Sequence, residues 1–264
     1  MKKLIQDAIL AAYRLVLGTG ILRTALGLRL YELLYTFYKS RFEATEIDCL
    51  SGYVGPGSAV VDVGANIGFF TVRFARWVAP GGRVIAIEPD GLNFSMLRNA
   101  VGRAGLTDIV DAVQGVAAES PGTLRLRLNP HHPADHRLGD EGVPVTAHTL
   151  DGLLAERGWP AVSLIKIDVQ GAEIRVLRGA RETLARFHPA LFVEIDDGAL
   201  AQAGFSADDL ISELAGFGYR LFVPVSGGGV LPLDRDEAAR RRAALGYADY
   251  LFLASDPVRR TETP

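Results

Sequence analysis

Seven consecutive residues, Asp62-Val63-Gly64-Ala65-Asn66-Ile67-Gly68, follow the β-rich run Ala59 to Val61 and precede a helical pattern. A loop between a strand and a helix exposes backbone N–H groups, and the helix dipole there favours a carboxylate or another polar group. Gly64 lets the chain turn tightly and approach a ligand, and Gly68 lets the helix start close to the sheet. Asp62, Gly64, Ala65, Asn66 and Gly68 are therefore candidate cofactor-binding residues. Their glycine spacing is G-x-x-x-G, not the G-x-G-x-x-G of dinucleotide loops, which argues against a nicotinamide enzyme. Glu88 lies 24 residues beyond Gly64 at the end of the next apolar run, where a carboxylate can accept both hydroxyls of a ribose. Enzymes using different nucleoside cofactors share that feature.

Three residues have the chemistry to move a proton at the same site. His136 stands in the polar stretch 129–137, and imidazole titrates near neutral pH. Its ordinary alternative is a solvated loop histidine. Asp168 ends the apolar run Val162 to Ile167, where a carboxylate faces the cofactor side of a sheet. Glu194 interrupts Phe192-Val193-Glu194-Ile195, and a buried acid is rare unless paired, so it lines the cleft or forms a salt bridge. Asp168, Glu194 and Asp196 together could offer oxygen ligands to a divalent cation such as magnesium. His131, His132 and His136 make a poor zinc set, with proline between them and no cysteine nearby.

The elements that must position these residues alternate. Strand expectations are Ala59 to Val63, Arg83 to Ile87, Ile109 to Ala117, Val162 to Asp168, Leu191 to Ile195, Tyr219 to Val225 and Tyr250 to Ala254. Helices are expected over Gly68 to Val78, Gly91 to Ala104, Ala172 to Phe187 and Ser206 to Gly216, the last capped by Ser206. In Gly91 to Ala104, Leu92, Met96, Leu97 and Val101 share one face. β-α-β-α-β order implies a parallel sheet with right-handed crossovers. Thr123 to Leu128 and Val143 to His148 alternate and read as an inserted antiparallel hairpin. The long polar segment between them has the character of a functional loop. Residues 1–45 read as a helical extension with a break at Gly18-Thr19-Gly20, residues 46–256 as one domain, and 257–264 as a flexible tail.

Composition sets the outer bounds. The 264 residues are 48% hydrophobic, enough to bury a large core, and carry a formal net charge of −3 with both signs interspersed. Without a broad basic field, nucleic acid is not an expected partner. Arg240-Arg241-Arg242 and Arg259-Arg260 read as solvated faces. Cys49 is the one cysteine, so no internal disulfide forms, and a reducing, cytoplasmic setting is expected. Asp7 and Arg14 interrupt the apolar N-terminus, which argues against a signal peptide, and no apolar run approaches the roughly 20 residues of a membrane span. Residues 1–40 pack on the main domain, on a second subunit in a homo-oligomer, or on a membrane surface.

The segment Leu164-Ile165-Lys166-Ile167-Asp168-Val169-Gln170-Gly171-Ala172-Glu173, continued by Val176-Leu177-Arg178-Gly179-Ala180, resembles the FkbM family of methyltransferases that use S-adenosylmethionine (SAM). The resemblance also includes Val61 to Gly68 and Ile87-Glu88-Pro89, and runs from about Glu46 to Ala254. It implies a Rossmann-like class I methyltransferase fold, a seven-stranded, mostly parallel sheet with one antiparallel strand near its edge. It implies SAM as donor and a hydroxyl of a sugar, glycan or secondary metabolite as acceptor. Gly64, Asn66 and Gly68 would lie along the methionine part of SAM, Glu88 at the ribose, and Asp168 at the methyl-transfer centre. Asp135-His136-Arg137 resembles an Asp-His-Arg element of the family. Gln170 departs from the usual Glu. A catalytically silent SAM-binding scaffold, anchored by its N-terminal helices, is the alternative reading.

Overall fold

The computed structural model describes residues 48–129, 135–225 and 229–254, together with the helical positions Gly27, Arg29, Thr36 and Phe37. The expectations for most of residues 1–45, for His131 and His132, for Arg259-Arg260 and for the 257–264 tail lie outside the described residues.

After a 3-10 turn at Asp48–Tyr53 the chain alternates β1 (Ala59–Val63), α1 (Phe69–Val78), β2 (Arg83–Glu88), α2 (Gly91–Arg103) and β3 (Val110–Gln114). An insert follows: β4 (Val116–Ala117), β5 (Gly122–Arg127), β6 (Arg137–Gly139) and β7 (Val143–His148). The alternation returns with α3 (Leu150–Glu156), β8 (Val162–Ile167), α4 (Glu173–Arg178), α5 (Arg181–Phe187) and β9 (Ala190–Asp196). The last elements are α6 (Asp197–Gln202), α7 (Ala207–Gly216), β10 (Tyr219–Val225), β11 (Gly229–Pro232), α8 (Arg235–Leu245) and β12 (Tyr247–Ala254).

The main sheet has the order β11-β10-β12-β9-β8-β1-β2-β3. β3, β2, β1, β8 and β9 run parallel, and β12 is antiparallel to both β9 and β10. The chain leaves β1 towards β2 and later returns to its other side as β8, so the order reverses at the β1–β8 boundary. Open α/β sheets bind ligands outside the strand C-termini at such a switch point. The sheet has eight strands rather than the expected seven, because the chain after β10 doubles back as β11, with Val223 opposite Leu231.

Strand periodicity divides the core in two. Val60, Leu164, Phe192 and Leu251 face α1 and α2, while Val61, Ile165, Val193 and Phe252 pack with α4, α5 and α7. Every residue of β1 and β8 is buried, as strands covered on both faces require.

Local expectations fail where a distant contact decides. The helix expected over Ala172 to Phe187 breaks at Gly179, which lies against the insert: a Cβ there would come within 2.0 Å of the Ala118 carbonyl oxygen. The second half restarts as α5 under the Asp151 carboxylate, which accepts the N–H groups of Glu182 and Thr183. The strand expected over Ile109 to Ala117 splits at Gly115 and sends β4 into a separate four-stranded sheet, β4-β7-β5-β6. The inserted hairpin is therefore part of a small sheet. Leu92 is exposed, whereas Met96, Leu97 and Val101 are buried. Arg240 and Arg241 pair with Glu237 on the surface, but Arg242 is buried, paired with Asp197 at 2.9 Å and lying over the Tyr250 ring. Ser206 caps α7 in a reciprocal capping box with Asp209. Among the described residues, no helix is long and apolar enough to cross a membrane.

Candidate functional site

The loop from Gly64 to Gly68 is fixed from below. Gly64 and Ala65 both donate to the Ile87 carbonyl at 3.0 Å, tying the end of β1 to β2. Gly64 has φ +76°, and a Cβ on it would stand 1.9 Å from the Asp168 carbonyl oxygen. Gly68 has φ +89°, and its Cβ would come within 2.8 Å of Leu97 Cδ1 on α2. Within the fold, the two glycines are required by close approaches to the backbone just after β8 and to α2. Asn66 takes a left-handed conformation with φ 51°, and its side chain accepts the Ile67 N–H. α1 begins at Gly68 with no side-chain cap, which leaves its N-terminal donors and dipole facing the loop.

Glu88 holds the next position. It is 4% exposed, accepts Asn66 N–H at 2.8 Å and Asp90 N–H at 3.0 Å, and is reached by the Asn93 side chain. A carboxylate offers about four lone-pair directions, so one remains for an incoming hydroxyl. Capture of both ribose hydroxyls would require Asn93 to give way. Burial pushes the Glu88 carboxyl up to about 7, against the lowering effect of those donors.

Register places Asp168 and Glu194 along the same edge, across β1 from Glu88. β1 pairs Val63 with Ile167, and β8 pairs Ile167 with Val193. One residue further, the strand tips set Gly64, Asp168 and Glu194 in a row, with Asp249 opposite Glu194 and Glu88 on the other side of Gly64. Adjacent strands lie about 4.8 Å apart, so this is a line of carboxylates with a gap at the glycine. Asp168 is 27% exposed, and Gln170, with φ 50°, donates its amide to Glu194 Oε1 at 2.8 Å.

Beneath the row lies a cation that the sequence reading did not single out. Lys166 is 3% exposed; its Nζ stands 3.4 Å from Asp62 Oδ1, 3.4 Å from Asp168 Oδ2 and 3.2 Å from the Gly64 carbonyl oxygen, over the Phe70 ring. Asp62 is fully buried and accepts Thr71 Oγ1–H on Oδ2; Oδ1 has the lysine as an ion contact but accepts no hydrogen bond. Asp62 thus anchors the lysine and α1 under the loop. The signal in the sequence was a lysine at an inward position of an otherwise apolar strand.

Glu173 is the second missed group. It is 2% exposed, its Oε1 accepts Gly171 N–H at 2.9 Å, and its Oε2 has no hydrogen-bond partner. Burial pushes its carboxyl up to about 7, helped by the charges of Asp168 and Asp196. The folded state therefore binds a proton between pH 4.5 and 7 that the unfolded chain releases. The associated stability is present at low pH and lost as pH rises through 7, an effect of about 3 kcal/mol. Glu173→Gln keeps the Gly171 contact and removes the charge. It should raise the melting temperature at pH 8 and flatten the stability profile between pH 4.5 and 7; an unchanged profile would count against the assignment.

His136 lies near Asp90 and Asp135. Burial holds its imidazole below the usual value, partly offset by the nearby Asp90 and Asp135 carboxylates, which places it towards the Glu88 end of the site. Asn129 N–H donates to His136 Nδ1 at 3.1 Å, assigning the proton of the neutral ring to Nε2. In that tautomer the ring offers a donor, not a lone pair. Asp196 accepts the Ala199 N–H as the cap of α6. Among the described residues no group of three His, Cys, Asp or Glu side chains is arranged to hold a metal ion, so the magnesium set Asp168, Glu194 and Asp196 does not form.

With this geometry in place, comparison with known proteins adds a family. The family model described as "Methyltransferase FkbM domain" matches residues 62–221. The chain is 35% identical over 187 residues to the 31-O-demethyl-FK506 methyltransferase FkbM of Streptomyces tacrolimicus, covering 56% of this chain and 69% of that protein. It is 25% identical over 179 residues to the 2-O-methyltransferase NoeI of Sinorhizobium fredii, covering 61% and 73% of the two chains. Among solved structures, a methyltransferase FkbM from Methylobacillus flagellatus aligns with a TM-score of 0.48 at 19% identity, over 75% of this chain and 43% of that one.

Proposed function

The chain belongs to the FkbM methyltransferase family, and from that premise we propose that it methylates a hydroxyl of a sugar, glycan or secondary metabolite with SAM as donor. The observation that carries this reading is the row Glu88, Asp168 and Glu194 at the strand tips, interrupted at Gly64 beside the uncapped start of α1. The residues fit such a donor by chemistry. The α1 N-terminus suits an amino-acid carboxylate, the open position on Glu88 suits a ribose hydroxyl, and the flanking carboxylates suit a sulfonium cation. When bound, SAM supplies an electrophilic methyl group.

The protein's own task is to orient the acceptor oxygen and take its proton. Asp168 is the base in this reading, because its side chain is 27% exposed at the strand tip and carries an acceptor carboxylate. Asp168 would accept the proton of the hydroxyl, while SAM, when bound, would give up its methyl group from sulfur to that oxygen and leave as S-adenosylhomocysteine. Glu194 shares the cleft wall through Gln170, and His136 donates from Nε2 to a ligand oxygen rather than acting as base.

Titration calorimetry of the full chain with SAM should give a micromolar complex of one site. Methyl-labelled SAM with a glycan and metabolite extract should then yield a labelled methyl ether. Absence of a complex overturns the reading, and a complex with no transfer favours the silent scaffold. Because an ionised Glu88 is the stronger hydrogen-bond acceptor and burial holds its carboxyl up at about 7, SAM affinity should weaken as pH falls from 8 to 6. Glu88→Gln should bind weakly at both pH values.

A further inference from the structure

The insert forms a second concave surface at the same edge of the molecule. A cavity of about 370 Å³ is lined by Arg127, Leu128, Asn129, Asp135, Arg137 and Gln202. That is within the size range of small-molecule sites. It lies at the cofactor edge of the main sheet. Gln202 ends α6, and Ala199 of that helix packs on the turn after Asp168, where a Cβ at Gly171 would come within 2.4 Å of the Ala199 carbonyl oxygen. On the other side, His136 adjoins Arg137 and feels the charge of Asp90, the residue that caps α2 next to Glu88.

The charges in this cavity do not balance. β5 and β6 pair Arg127 directly opposite Arg137, and like charges across an antiparallel pair repel. Arg137 is served: its Nε donates to Asp135 at 2.6 Å and its NH1 to Gln202 at 2.8 Å. Asp135 also accepts the Asn129 amide at 2.9 Å. Arg125, on the same face of β5, donates to the Gly142 carbonyl. Among the described residues, the Arg127 side chain has no ion pair or hydrogen bond, so of two arginines at paired positions only Arg137 has a carboxylate partner. An exposed strand gains nothing in stability from that arrangement, but it suits recognition of an oxyanion, which arginine binds with short, charge-assisted hydrogen bonds. The amides of Asn129 and Gln202 on the same wall suit hydroxyls.

We propose that this cavity is the acceptor site and that it takes a hydroxyl-rich acceptor bearing an oxyanion, carboxylate or phosphate, with the anion held by Arg127. The assignment rests on the methyl-transfer reading above. Its test uses three probes on the full chain: methyl glucuronide, glucose 1-phosphate and the neutral methyl glucoside. Each is titrated with and without S-adenosylhomocysteine, so the anion comparison stands even if the cofactor fails to bind. At least one anionic probe should bind about tenfold or more tighter than the glucoside. The stronger of the two identifies the anion. Arg127→Gln should abolish that preference, leave S-adenosylhomocysteine affinity within about twofold, and slightly raise thermal stability by relieving the arginine pair. Equal binding of charged and neutral probes, no binding of the charged ones, or a preference that survives Arg127→Gln overturns the proposal. Failure of S-adenosylhomocysteine to bind counts against the methyltransferase reading alone.

Discussion

Gly64→Ala should cost between about 2 and 6 kcal/mol of stability and abolish measurable SAM binding. Two independent terms add at this position. An alanine pays for the left-handed conformation at φ +76°, and its Cβ meets a backbone oxygen, Asp168 O, at 1.9 Å. A backbone atom cannot rotate aside as a side chain can, so the tips of β1 and β8 must separate. That motion moves Asp168 relative to Glu88 and widens the gap in which the cofactor is proposed to sit. Gly57→Ala is the control. Gly57 also has a positive φ, +81°, but nothing lies within 4 Å of its Cβ, so only the conformational cost of about 1–2 kcal/mol applies. Urea unfolding and SAM titration of both variants separate the terms. Equal losses in the two would show that the Asp168 contact contributes nothing.

Lys166→Met should destabilise the chain by about 3–5 kcal/mol, because it leaves the fully buried Asp62 without its cation. Methionine matches the lysine stem in length and packs against Phe70, so the loss reports charge rather than volume. Asp62→Asn combined with Lys166→Met should recover part of the stability, since the orphaned charge goes with its partner; the amide still meets Thr71. Denaturant midpoints of the two single variants and the double variant give the coupling directly. Strict additivity of the two changes would show that Asp62 and Lys166 do not act as a pair.

These two variants show why the site was only partly legible. The glycine loop, Glu88 and Asp168 stood out because their signals are local: a β-rich run, glycines at a fixed spacing, and an acid where an apolar strand ends. The role of Gly64 did not stand out, because the atom it must avoid belongs to a residue 104 positions away. His136 was a reasonable base by type, but the Asn129 N–H on Nδ1 decides its tautomer. Asp196 was a reasonable ligand by type, but it caps α6 instead.

By itself the sequence determined the class of fold and the core strand–helix alternation, though not β4, β6, β11, α3, α6 or α8, since burial periodicity and turn chemistry act over a few neighbours. It also identified the family, through two motifs in the right order. Only the tertiary structure decided which charges meet. Lys166 serves Asp62 and Asp168, Glu173 is left with an orphan oxygen beside the acid row, Arg242 turns inward to Asp197, and Arg127 faces Arg137 across the insert. The physical reason is common to all four. A charge is defined by its surroundings, and these surroundings are assembled by strand register and helix packing between residues far apart in the chain.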